Sequence, residues 1–121
     1  MSTPKEIGEK LIAFCKEGKN LECVDALYSD DVESVEAMEG QGPRVTKGKA
    51  AVRGKGEWWA KTFEVKKADV EGPFPHGDDR FAVVFDYETK NRETGEEAAM
   101  REVGVFHVAN DKIVREEFFY G

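Results

Sequence analysis

A chain of 121 residues has room for one domain with one core, expected here to span residues 1–121 and to bury roughly two thirds of the unfolded chain's surface. Hydrophobic residues at 40% beside 36% charged ones describe an ordered globule with a well-solvated exterior rather than a disordered segment. The net charge of −7 argues against general nucleic-acid binding, which draws most of its affinity from phosphate neutralisation, and no apolar run approaches the roughly 18 residues that cross a bilayer.

The first residues lack a secretory pattern, so a cytoplasmic address with no membrane partner is expected. Thr3-Pro4-Lys5-Glu6 reads as a helix start, with Thr3 as cap, Pro4 at the first helical position and Glu6 completing a capping box. Ile7, Leu11, Phe14 and Cys15 then recur at helical spacing as far as Gly18, predicting a helix over residues 4–17. Asn20 is placed to cap a short second helix, striped by Leu21, Val24 and Leu27 and ended by Ser29-Asp30-Asp31. Val32 to Met38 alternates as a strand, with Val35 and Ala37 on one side and Val32, Ser34, Glu36 and Met38 on the other.

Gly40-Gln41-Gly42-Pro43 is a loop, and Lys47 to Phe63 returns to helical spacing through Val52, Gly56, Trp59 and Phe63. The inner glycines Gly54 and Gly56 each cost about 1 kcal/mol against alanine, which close packing would offset. From Glu64 onward the period is two, with strands near 64–72, 80–90, 97–109 and 112–120 joined by hairpin-like connections that include the tight Asn110-Asp111 turn. Such connections make a mostly antiparallel sheet. Helices first and strands later specify an α+β domain with helices on one face of that sheet.

The order helix, short helix, strand, helix and four meandering strands resembles the nuclear transport factor 2-like superfamily, especially its SnoaL-like and ketosteroid-isomerase-like members. The residues that carry the resemblance are Leu27-Tyr28-Ser29-Asp30-Asp31, Gly48-Lys49-Ala50-Ala51-Val52-Arg53 and Lys112-Ile113-Val114-Arg115-Glu116-Glu117-Phe118-Phe119, and it extends over essentially the whole chain. It implies a cystatin-like cone, in which a curved sheet wraps round the three helices of the N-terminal half and encloses an apolar pocket. Members of the superfamily use that pocket for isomerisation, cyclisation, dehydration or epoxide hydrolysis, or for binding alone, and many form homodimers through the outer sheet face. In the isomerase branch a first-strand carboxylate is the base, which falls on Glu36 without a gap or on Ala37 with one inserted residue. The helical tyrosine of that branch falls near Leu11, and its later acid falls on Glu102 if the final hairpin is longer, otherwise on Val103 or Gly104.

Three glutamates are therefore candidate catalytic residues: Glu36, Glu102 and Glu116. A strand carboxylate either faces water or sits in a pocket, where desolvation raises its pKa and suits it to acid–base work. Glu116 and Glu117 point to opposite faces, so one of them turns inward in either register. The candidate ligand-lining residues are Phe14, Met38, Trp58, Trp59, Phe85, Tyr87, Met100, Phe106, Phe118 and Tyr120. Trp58 and Trp59 lie about 100° apart on their helix, so only Trp59 is centred on the core stripe.

Cys15 and Cys23, in a chain with no export signal, are expected as free thiols. His76 and His107 have neither metal-ligand spacing nor a nucleophile partner, so neither a metal site nor a hydrolase triad is expected, and no cofactor is implied. Gly48 to Gly56 is not a phosphate loop, having five residues rather than four between Gly48 and Gly54 and no Ser or Thr after Lys55. Two functions fit: a small-molecule pocket protein performing isomerase, cyclase or hydratase chemistry on an apolar substrate, or a non-catalytic dimeric binding module.

Overall fold

A computed structural model describes residues 2–39 and 43–120; Gly40, Gln41 and Gly42 of the expected loop lie outside them. The elements run α1 (Pro4–Lys16), α2 (Asn20–Leu27), β1 (Tyr28–Val35), β2 (Val45–Lys47), α3 (Lys49–Thr62), β3 (Phe63–His76), β4 (Arg80–Asn91), β5 (Glu97–Ala109) and β6 (Lys112–Phe119). The capping box forms as the sequence predicts: the Thr3 hydroxyl accepts from the Glu6 amide and the Glu6 carboxylate accepts from the Thr3 amide, both at 3.1 Å. Because Pro4 has no N–H, this helix start leaves three amide donors without helical partners, and two of them are satisfied in this way. At α2 the cap position is Lys19 rather than Asn20 and no side chain caps it.

The sheet has the order β2-β1-β6-β5-β4-β3. Every pairing is antiparallel except β1 with β6, which brings Ser34 beside Glu116. β1 begins at Tyr28, four residues before the predicted Val32, because the chain turns extended at the C-cap of α2 and a register irregularity carries Asp30 and Asp31 outward. β2 is three residues long, too short to show a period, and was not predicted. Gly48, whose φ of 93° suits a residue without a Cβ, precedes α3, so that helix begins at Lys49.

β3 runs to His76, through Pro73 and Pro75 that read as a loop. It is the outermost strand on its side, where a proline's missing N–H leaves no ladder bond unmade.

Ile7 and Leu11 of α1, Val24 and Leu27 of α2 and Val52 of α3 are buried against Phe81, Val83, Phe85, Phe106 and Ile113 of the sheet. Phe81 and Phe106, paired across β4 and β5, stack at 5.1 Å. Two helical glycines mark close approaches. A Cβ on Gly8 would meet the Pro73 ring at 2.5 Å, and one on Gly56 would meet Leu21 at 3.2 Å, whereas Gly54 has open space around it. Close packing therefore accounts for Gly56 but not for Gly54. Cys15 and Cys23 are free thiols.

Candidate active site

The sheet alternation decides what projects toward the helices. On β4 the buried residues are Phe81, Val83, Phe85 and Thr89, and their partners across β5 share that face: Phe106 beside Phe81, Glu102 beside Phe85 and Met100 beside Tyr87. On β6 the inner residues are Glu116, beside Phe106, and Phe118, beside Gly104. On β1 Ser34 faces Glu116, and Glu36 follows two positions on. The parallel pairing of β1 with β6 and the antiparallel pairing of β6 with β5 thus gather carboxylates from three separate stretches of chain.

Glu116 is sealed, with 4% of its surface exposed. Tyr28 donates its hydroxyl to one oxygen, and Ser34 donates to the other at 2.6 Å. Burial drives the Glu116 carboxyl above its ordinary range, opposed by these two donors and by Lys55. The Tyr28 hydroxyl is likewise pushed well above 10.0 by its own burial and then by the Glu116 charge.

Lys55 reaches in from α3. Its Nζ donates to Ser34 Oγ at 2.7 Å and to Glu36 Oε1 at 2.9 Å. Tyr120 donates to the other Glu36 oxygen at 3.0 Å. Glu36 is therefore an ion-paired, hydrogen-bonded carboxylate.

Glu102 differs from both. Among the described residues its side chain makes no hydrogen bond or ion pair, and no fully buried side-chain oxygen there lacks a partner, so its oxygens keep contact with solvent. Its pKa is raised from 4.5 to about 7, first by burial and then by the charges of Glu36 and Glu116, with Lys55 pulling the other way. Tyr87 lies close enough for the Glu102 charge to add to the effect of burial in raising its hydroxyl pKa.

The aromatic wall near Glu102 is continuous: Phe85 lies 5.8 Å from Tyr87 and 6.5 Å from Phe118, and Trp59 lies 6.1 Å from Tyr87, centroid to centroid. The predicted lining residues Trp59, Phe85, Tyr87, Met100, Phe118 and Tyr120 are thus drawn to the neighbourhood of the carboxylates, and Phe14 packs half-buried against the core. Three fall elsewhere. Phe106, 1% exposed, is closed into the core by its stack on Phe81. Met38 and Trp58 are 49% and 43% exposed, the tryptophan packing edge-on against Phe63 because its neighbour Trp59 takes the inward stripe.

Tyr28, Ser34 and Lys55 were not among the sequence candidates. Ser34 could have been found, since it shares the predicted inner face with Glu36; Tyr28 and Lys55 gave no local signal. Among the described residues no group of three His, Cys, Asp or Glu side chains is arranged to hold a metal ion. Two shallow depressions open on the described surface, one along Lys66, Glu88 and Glu97 and one along Lys67, Asp69, Asp86 and Arg101. Both run over β3–β5, the first meeting Thr89 and the second Tyr87 and Met100, and neither includes Glu36, Glu102 or Glu116.

A curved, unclosed sheet packed on three helices, with ionisable groups on its inner face, defines the nuclear transport factor 2-like class. The sequence profile of the SnoaL-like domain matches residues 1–120, and the chain belongs to that family. It is similar over 98% of its length, at 39% identity and a TM-score of 0.91, to the whole of a candidate SnoaL-like polyketide cyclase from Mesorhizobium loti. A nuclear transport factor 2-like protein of Burkholderia thailandensis shares the fold at 20% identity and a TM-score of 0.84, over 100% of this chain and 92% of that one. A Mycobacterium tuberculosis protein in complex with estradiol-17β-hemisuccinate shares it at 19% identity and a TM-score of 0.78, over 99% and 95% of the two chains. No curated protein matches the sequence, and no described helix is long and apolar enough to cross a membrane.

Proposed function

We propose that the inner sheet face around Glu102 binds a small, largely apolar organic molecule and that Glu102 exchanges a proton with it, in chemistry of the isomerase, cyclase or hydratase type. The observation that carries this reading is the contrast among three clustered carboxyls. Glu116 is sealed and doubly hydrogen-bonded, Glu36 is held by Lys55 and Tyr120, and Glu102 alone is without a partner, with a pKa of about 7. A carboxyl poised near neutrality is populated in both protonation states, which is what a group that first takes and then returns a proton requires. Phe85, Tyr87, Phe118 and Trp59 supply the apolar wall, and Tyr87 brings a hydroxyl with no partner among the described residues. Glu36 and Glu116 act in this reading as the fixed charge and the buttress that set Glu102.

The test is hydrogen–deuterium exchange into apolar C–H acids in heavy water, with 2-tetralone and phenylnitromethane as probes and mass spectrometry as readout. The expected result is catalysed exchange that rises through an apparent pKa of about 7 and is lost in Glu102→Gln. Wild-type protein that exchanges neither probe, or a Glu102→Gln variant as fast as wild type, would overturn the reading.

The outer sheet face is proposed as a self-association surface. Val84 pairs with Val103, Ala82 with Val105, and Val103 with Phe119, whose side chain is 49% exposed, which makes an apolar strip across three strands. Light scattering should give the mass of two chains, and Phe119→Lys should return one.

A further inference from the structure

α3 lies across the inner sheet face. On one side its Lys55 donates to Ser34 at 2.7 Å and to Glu36 at 2.9 Å, and on the other its Trp59 ring rests 6.1 Å from that of Tyr87 on β4. Between β1 and β4 in the sheet order come β6 and β5, the strands of Glu116 and Glu102. The helix therefore stands over the stretch of sheet where the carboxyls gather.

It is also the least anchored of the three helices. Only Val52 of its residues is fully buried, whereas α1 buries Ile7, Gly8, Leu11 and Ile12 and the much shorter α2 buries Cys23, Val24 and Leu27. Its own sequence opposes it: no side chain caps it, no acid stands in its first turn, and Lys49 sets a cation at the positive end of the helix dipole. Gly54 and Gly56 weaken its middle, and at Gly54 the surrounding space is open, so no packing offsets the loss. What ties α3 to its neighbours is chiefly polar: Arg53 reaches Asp25 of α2 at 2.9 Å, Lys49 reaches the Asp25 carbonyl at 2.9 Å, and Lys55 reaches Glu36. Water touches both ion pairs, and such links are individually weak. Its N-terminal joint is loose as well, with Gly48 at a φ of 93° following a strand held by three paired residues. Few buried apolar groups and solvent-reached ties mark the segments of a fold that open locally.

We propose that α3 is a gate over the inner sheet face, opening as a unit while α1 and the β3–β6 sheet stay folded, with the Asp25–Arg53 and Glu36–Lys55 links as its latch. Its role in admitting a ligand rests on the reading of the inner face as a binding surface, whereas its opening is a property of the free chain. Lifting α3 carries Trp59 off Tyr87 and Lys55 off β1, and uncovers the strands between them. Entry of an apolar molecule is then limited by how often the latch releases.

Two measurements test the gate. In hydrogen exchange of the free protein, read by peptide mass spectrometry, amides of residues 53–62 should exchange at least about 10-fold faster than those of β4 and β5, which open only with the whole fold. Arg53→Met, which unties the latch away from the inner face, should speed exchange in α3 about threefold, and Gly54→Ala, which strengthens the helix, should slow it about threefold. Both changes are at the surface, and circular dichroism establishes that each variant is folded. Stopped-flow fluorescence of N-phenyl-1-naphthylamine, a neutral apolar probe, should show entry rates that follow the same order: Arg53→Met fastest, wild type between, Gly54→Ala slowest. Protection in α3 equal to that of β4 and β5 overturns the gate. Probe entry at one rate in all three proteins also overturns it and leaves the binding reading standing. No probe signal from a wild type whose α3 exchanges as expected overturns the binding reading instead.

Discussion

Ser34 stands beside Glu116 across the parallel β1–β6 pairing and gives its hydroxyl proton to Glu116 Oε2 at 2.6 Å. The same hydroxyl accepts from Lys55 Nζ at 2.7 Å. A buried carboxyl on the last strand is thereby joined, through one oxygen atom, to a cation on α3. Stability and lysine placement depend on the same few groups.

Removing a donor to Glu116 should therefore cost stability. Tyr28→Phe leaves a sealed carboxyl one hydrogen bond short, and the expected loss is about 1–3 kcal/mol, read by urea unfolding. An unfolding midpoint equal to that of wild type would show that the Tyr28 hydrogen bond contributes nothing net.

Stability should also carry the signature of Glu102 titration. With its folded-state pKa raised from 4.5 to about 7, the native chain keeps a proton that the unfolded chain has released between those values. Its contribution to stability is therefore fully present below about 4.5 and is lost as pH rises through about 7. Glu102→Gln cannot ionise. Its unfolding free energy relative to wild type should climb by about 2 kcal/mol between about pH 4 and about pH 8, a figure reduced for the solvent that reaches the carboxyl. A difference that does not vary with pH would mean that Glu102 titrates as an ordinary carboxylate.

Two glycine-to-alanine changes should move stability in opposite directions. Gly54 lies on α3 with open space where a Cβ would go, so Gly54→Ala should gain about 0.5–1 kcal/mol from helix propensity and a stiffer unfolded chain. Gly8→Ala would drive a methyl to 2.5 Å from the Pro73 ring, and the resulting overpacking should cost about 1–3 kcal/mol. Thermal melts of the two variants against wild type compare them directly.

The two thiols should be inert in the native state. Burial pushes the Cys15 thiol up to about 12, with Glu116 adding to the shift, and burial drives Cys23 higher still. Since the thiolate is the reactive form, a disulfide-exchange reagent should leave both unmodified under native conditions at about pH 8 and modify both once urea unfolds the chain. Rapid native modification of either would show that α1 and α2 open locally.

The parts of this fold that could be read in the sequence are the parts written locally. Thr3-Pro4-Lys5-Glu6 states its own capping pattern, and β4, β5 and β6 show their period of two within ten or so residues. The bent edge was harder, since Pro73 and Pro75 punctuate β3 and only its place at the rim explains why they are tolerated. In the site, alternation alone put Glu36 on an inner face with Ser34 and offered Glu116 as one of two choices on β6. Which carboxyl is sealed and which is open could not be read, because Tyr28 and Glu116 are 88 residues apart and meet only through the β1–β6 pairing. Lys55 was hidden for a related reason: its direction follows from how α3 rotates as it settles against Leu21 at Gly56.

β3 forms one rim of an unclosed sheet, and a row of spare main-chain donors and acceptors at such a rim is a template on which another chain can add a strand. Here Pro73 and Pro75 remove two N–H groups from that row, Lys66 and Lys67 place charge along it, and the irregularities at Val65/Lys67 and Glu71/Phe74 break its straightness. These features should keep concentrated solutions of the folded protein from stacking rim to rim into fibres.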